Sequence, residues 1–182
     1  MVNTPPPVLL SIPLEGVSDT PAGSERLPRQ KGTYVLLMRL MKPHQLTVGR
    51  LGKHRFSRGW YTYVGSAFGP GGLRARIRHH LRHSAIPRWH IDYLTRHITP
   101  NEAWVTVHRN HWEHRLAQWL QRLSGSEIAV HGFGSSDCHC LSHLFRFNDR
   151  PALRTKAETG ADVSTGLVGD PAQIAGKPHI LK

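Results

Sequence analysis

Between Gly59 and His83 the chain sets out residues that could do chemistry. Gly59-Trp60-Tyr61-Thr62-Tyr63-Val64-Gly65-Ser66-Ala67 is rich in aromatic and β-branched residues and predicts a strand. Gly69, Pro70, Gly71 and Gly72 punctuate a loop, and the residues from about Gly72 to His83 predict a basic helix. Leu73, Ile77 and Leu81 recur every fourth residue as its apolar stripe. Arg76 and His80, also four apart, share a neighbouring face near the strand's end. A phenol, a guanidinium and an imidazole are thereby offered to one surface, a set that suits phosphodiester chemistry. Such a reaction needs phosphate charge neutralised, a water activated and a leaving oxygen stabilised. Arginine can supply the first, a tyrosine lowered in pKa by a cation and an arginine the second, and a metal on one carboxylate the third. One carboxylate is enough for Mg²⁺, which keeps several of its waters.

The elements that must position these groups can be read along the chain. Residues 1–28 carry Pro5-Pro6-Pro7, Pro13, Pro21 and Pro28 and predict a flexible leader, with Val8-Leu9-Leu10 able to dock locally. The domain is expected over residues 29–148. Gly32 to Leu40 is an almost continuous apolar run and predicts a central strand. Leu46-Thr47-Val48-Gly49 is expected to return antiparallel to it. In the strand through Tyr61 to Val64, alternation puts Tyr61 and Tyr63 on one face and Thr62 and Val64 on the other. Trp89 to Leu94 predicts a short helix and Ala103 to His108 a further strand. A second helix from His111 to Leu123 has Trp112, Leu116, Trp119, Leu120 and Leu123 as its stripe, with Glu113 in its first turn. Phe133 to Phe145 begins as a tight loop and ends apolar. Residues 149–182 lose hydrophobic periodicity and predict a disordered tail.

Over 182 residues the formal net charge is +12, from 24 Lys+Arg against 12 Asp+Glu. Arginine supplies most of that excess, clustered around one helix, and pairs with phosphate in two-pronged geometry. A nucleic acid is the partner such a surface attracts. Cys138 and Cys140, separated by one residue, are badly placed for a disulfide, which fits a reducing compartment. With no secretory leader and no apolar run of membrane-spanning length, a cytoplasmic protein without a membrane partner is expected.

Gly32-Thr33-Tyr34, then Tyr63-Val64-Gly65, then Leu73 with Arg76 and His80, and finally a helix bearing Glu113, form an ordered set that resembles the GIY-YIG nuclease superfamily. The Trp89-His90-Ile91-Asp92-Tyr93 and Phe133-Gly134-Ser135-Ser136-Asp137-Cys138 blocks are similar to a branch also found attached to endonuclease III-type glycosylases. The resemblance covers about residues 31–147. It implies an α+β fold, a small antiparallel sheet flanked by helices, and an endonuclease acting on DNA in repair or recombination, with a DNA-repair protein as a possible partner. It also implies that Tyr34 and Tyr63 sit together to deprotonate or orient water, that Arg76 binds the scissile phosphate and that His80 assists. Glu113 would hold Mg²⁺ or another divalent cation. Thr33 stands where the pattern has isoleucine, and the loop from Ser66 to Gly72 is long for it, so Arg74 or Arg78 could take the place given to Arg76. The rival reading is a binding module without turnover.

Each residue also has a plainer reading. Tyr34 and Tyr63 could be ordinary sheet tyrosines. Arg74, Arg78, Arg82 and His83 read as a nucleic-acid-facing or solvated stripe. Glu113 alone is a routine acid favoured at a helix N-terminus. His90 and Asp92, two apart on a helix, face away from each other and read as structural hydrogen-bond formers. Trp89, Trp104, Trp112 and Trp119 read as core or core-edge residues. Cys138, Cys140, His139 and His143 invite a zinc reading, but they lack the separated second ligand pair of most structural sites, and zinc is not expected. Asp137 could help a metal or close an Asx-turn.

Overall fold

Gly32 to Leu40 is apolar because it lies at the centre of a sheet covered on both faces. The computed structural model describes residues 7–17, 22–83 and 86–153. Along them run β1 (Leu10–Pro13), β2 (Gly32–Leu40), β3 (His44–Thr47), β4 (Lys53–Phe56), β5 (Gly59–Ala67), α1 (Gly72–Leu81), α2 (His90–Thr95), β6 (Pro100–Val107), α3 (Glu113–Gln121), β7 (Glu127–Ile128) and β8 (Leu144–Phe147). Six of the strands make one antiparallel sheet in the order β1-β6-β2-β5-β8-β7. The expected α+β class is the one found.

Alternation along the strands divides the core in two. On one face Tyr34, Leu36, Met38, Tyr61 and Tyr63 pack with Leu73 and Ile77 of α1 and Ile91 and Leu94 of α2. On the other, Val35, Val64, Trp104 and Phe145 pack with Leu116, Ala117 and Leu120 of α3. The helical stripes thus cover the faces that their period-four spacing requires.

Three expectations need correction. The segment 46–49 does not return along β2: β3 pairs with β4 in a separate ribbon, Leu46 opposite His54. Both edges of β2 are already taken, Val35 pairing with Val64 of β5 and with Trp104 of β6. The leader is not wholly flexible either. β1 adds to the sheet through β6, and Leu9, Ile12, Leu14 and Leu27 are buried. Pro13 is tolerated because it ends β1, which is an edge strand. Of the expected tail, Leu153 is buried in the α3-side core, and residues 154–182 lie outside the described residues. Among the described residues no helix is long and apolar enough to cross a membrane.

Candidate active site

The register of β2 against β5 fixes the two phenols. Tyr34 stands opposite Gly65, so Tyr63 is its diagonal neighbour on the same face, with ring centroids 6.5 Å apart. Gly65 is required here: a Cβ would fall 2.3 Å from the Tyr34 hydroxyl oxygen and 2.5 Å from its Cζ. Both rings are buried. Burial raises both pKa values; the neighbouring Tyr63 adds to it at Tyr34 and the Glu113 carboxylate adds to it at Tyr63. Arg76 pulls both down and loses to burial. In the protein alone, then, neither phenol ionises readily. The charges of Arg76, Glu113 and Asp92 nonetheless all act on both phenols.

The proton of Tyr34 has a defined partner. His80 Nε2 lies 2.8 Å from the Tyr34 hydroxyl, and His80 Nδ1 lies 3.0 Å from Asp92 Oδ1. Burial tends to raise the Asp92 pKa, but hydrogen bonds from His80, from the backbone N–H groups of Trp89 and Arg88, and from His79 hold it far below the ordinary value. Asp92 is thus ionised and accepts, so His80 carries its proton on Nδ1. Burial keeps that imidazole neutral by lowering its pKa, against the pull of Asp92. Its Nε2 lone pair then accepts from Tyr34. The three residues, at most 2% exposed, form a relay Asp92–His80–Tyr34. Asp92 also reaches from the first turn of α2 to the N–H of Trp89, 3.0 Å away, and so tethers the helix start. Its structural role is as expected, but its side-chain partner is His80. His90 accepts instead from the Gly134 N–H at 3.0 Å.

Arg76 faces a separate opening. A cleft of about 300 Å³ is lined by Ala67 at the end of β5, by the loop residues Gly69 and Pro70, by Arg76 and Arg82, and by Arg88 and Trp89. The Arg76 guanidinium stacks on the Trp89 indole, 4.1 Å from its centroid, which fixes the plane of the fork. Gly71 and Gly72, with φ of 80° and 58°, turn the chain into α1, and a Cβ on Gly72 would meet the carbonyl of Arg29 at 2.1 Å. Of the three arginines weighed for the phosphate, Arg76 is among the residues lining the cleft, and Arg74 and Arg78 are not. Arg74 instead donates to the carbonyls of Leu27 and Glu25 at 2.8 and 2.9 Å, tying α1 to the segment before β2. His83 Nδ1 is engaged with the Thr95 carbonyl, Arg78 is half-buried and Arg82 exposed.

Glu113 begins α3, on the sheet face opposite Tyr34. Its helix start is held at the sheet end where Thr33 and Ser66 are cross-strand partners. The Trp112 N–H donates to Thr33 Oγ1 at 3.3 Å, so Thr33 does more than pack. Burial tends to raise the Glu113 pKa; the neighbouring His143 and Ser66 side chains outweigh it and hold it below the ordinary value. His143 Nδ1 lies 3.4 Å from Glu113 Oε1, and the Glu113 side chain is 20% exposed. An ionised, partly exposed oxygen donor beside a hydroxyl fits a hard divalent cation that retains water. Asp137 is exposed, and its charge acts on Tyr63. Gly134, φ 73°, packs edge-on between Tyr63 and His143, where a Cβ would come within 2.9 Å of the phenol ring.

The structure brings Tyr34, His80 and Asp92 together, sets Arg76 on Trp89 and places Glu113 beside His143 and Ser66; hidden from sequence reasoning were Asp92 as the partner of His80, Trp89 as the shelf for Arg76, and Ser66 beside Glu113. Only the Trp89-to-Tyr93 block hinted at the first two.

Residues 33–164 match the family model DUF123, described as a domain of unknown function. No curated protein and no solved structure matches the chain.

Proposed function

The chain belongs to the DUF123 family, and from the site this domain carries we propose a metal-dependent endonuclease of the GIY-YIG kind, hydrolysing phosphodiester bonds in DNA. The observation that carries the reading is the Asp92–His80–Tyr34 relay next to an arginine-lined cleft. Arg76, oriented by Trp89, binds a phosphate through its fork and neutralises charge that builds on the non-bridging oxygens. Tyr34 takes a proton from the attacking water as its own passes to His80 Nε2. The imidazolium so formed is stabilised by the ionised Asp92, which also holds the ring in the tautomer that can accept. Tyr63 orients the water. Glu113 would hold Mg²⁺ or another divalent cation, which supplies charge stabilisation at the leaving oxygen. Arg82 and Arg88 extend the positive surface along the strand.

A second reading has its own support. Both phenols are closed off from solvent and raised in pKa, as they would be in a binding module that holds nucleic acid for a repair enzyme without cutting it. Incubation with labelled duplex, nicked, flapped and branched DNA, in Mg²⁺ or chelator and beside Glu113→Gln, separates the two. The nuclease reading expects product in Mg²⁺ that vanishes in the variant. Salt-sensitive binding with no product in any divalent cation would favour the module.

A further inference from the structure

Outside the relay and the cleft lies a group of side chains that the proposed reaction does not use. Cys138 and Cys140 sit in the loop before β8, His143 ends that loop, and His114 lies in the first turn of α3. One ligand atom from each of the four is within 4.8 Å of all the others. Cys138 Sγ is 3.5 Å from His143 Nε2, and Cys140 Sγ is 3.5 Å from His114 Nδ1. A tetrahedral zinc, with bonds of about 2.3 Å to sulfur and about 2.05 Å to nitrogen, has sulfur–nitrogen edges of about 3.5 Å. Both cysteines are free thiols.

We propose that His114, Cys138, Cys140 and His143 hold a structural Zn²⁺ ion. Within residues 138–143 alone the ligands lack a separated second pair. The fold supplies the separated ligand, His114, while His139 stays outside the cluster. A zinc-bound histidine characteristically gives its other ring N–H to a carboxylate. His143 is placed to do so: it is 1% exposed, and its Nδ1 has Glu113 Oε1 at 3.4 Å and no closer polar partner among the described residues. Two thiolates and two imidazoles complete a tetrahedron, which makes the site closed and structural. Bound there, the ion would clamp the first turn of α3 to the loop that carries Gly134 against Tyr63 and His143 against Glu113. The inference rests on this geometry alone, so metal analysis and nuclease assays can fail separately.

The test is metal content of the full chain, purified untagged under reducing conditions. One zinc per chain is expected. After exchange, Co²⁺ should show thiolate charge-transfer absorption and the strong visible bands of a tetrahedral site. Cys138→Ser with Cys140→Ser should lose stoichiometric zinc. His114→Ala, at an exposed position that the fold tolerates, should weaken zinc affinity by at least about tenfold. A reduced chain that takes up no stoichiometric zinc overturns the proposal. So does a Co²⁺ form without thiolate charge transfer, or a His114→Ala chain that holds zinc as tightly as its parent.

Discussion

Asp92→Asn reverses one proton while leaving the surrounding shape intact. The carboxylate accepts from His80 at 3.0 Å through Oδ1; through Oδ2 it accepts from the N–H groups of Arg88 and Trp89 at 2.9 and 3.0 Å and from His79 at 3.1 Å. Asparagine has one acceptor and one donor. With its oxygen in the Oδ2 place the two backbone bonds survive, and its NH₂ faces His80 Nδ1. His80 must then carry its proton on Nε2, and the Tyr34 hydroxyl meets a donor where it had an acceptor. Charge-assisted bonds of about 1.5–3 kcal/mol become neutral ones of about 0.5–1.5 kcal/mol, so stability should fall by about 2 kcal/mol in denaturant titration. The relay should fail more completely. General acid–base assistance is worth about 10²–10⁴-fold, and that loss is expected in the single-turnover cleavage rate, with DNA affinity kept within about twofold because Arg76 and Trp89 are untouched. Nitrogen NMR of His80 reads the tautomer directly. A reversed tautomer with an undiminished rate would refute the relay, and an unreversed one would refute the hydrogen-bond assignment.

Further outcomes follow from the same geometry. Gly65→Ala places a Cβ 2.3 Å from the Tyr34 oxygen; the phenol must retreat from His80, costing about 1–3 kcal/mol of stability by overpacking and most of the activity, measured by thermal unfolding beside the cleavage assay. Arg76→Lys loses the fork and the stack on Trp89, so single-turnover cleavage should fall by about 10–100-fold, from about 1.5–3 kcal/mol of charge-assisted binding. Arg88→Ala should weaken DNA binding and lower the slope of log affinity against log salt by about 0.9, if Arg88 meets one phosphate. As for pH, the folded His80 has a pKa below its ordinary 6.5. As pH falls below 6.5 the unfolded chain takes up a proton that the buried ring refuses, so stability measured against pH should decline there. Asp92, ionised below its ordinary 3.8, adds stability that is present above that value and lost as pH falls through the folded value.

What the sequence made legible was periodic. The stripe of Leu73, Ile77 and Leu81, the run from Gly32 to Leu40 and the alternation of Tyr61 and Tyr63 each declare an element and a buried face. That information is local, carried by residues two or four apart. Pairing is not local, so the segment that forms β3 carries no sign that its partner is β4 rather than β2, and Pro13 masks the edge strand β1. The site shows the same divide. Arg76 and His80 could be placed on one helix face by their spacing. The bond from His80 to Asp92 depends on how α2 packs on α1, and the approach of His114 to Cys140 on where α3 begins. Neither contact leaves a trace in the spacing of the chain.

Whether Tyr34 serves a nuclease is decided by the single-turnover rate at which the full chain cleaves DNA in Mg²⁺, compared with Tyr34→Phe, which removes one hydroxyl and keeps the ring. Cleavage by the parent is expected, with a loss of about 10²-fold or more in the variant and DNA binding retained. Equal rates, or no product from the parent on any of the DNA structures with any divalent cation, would contradict it.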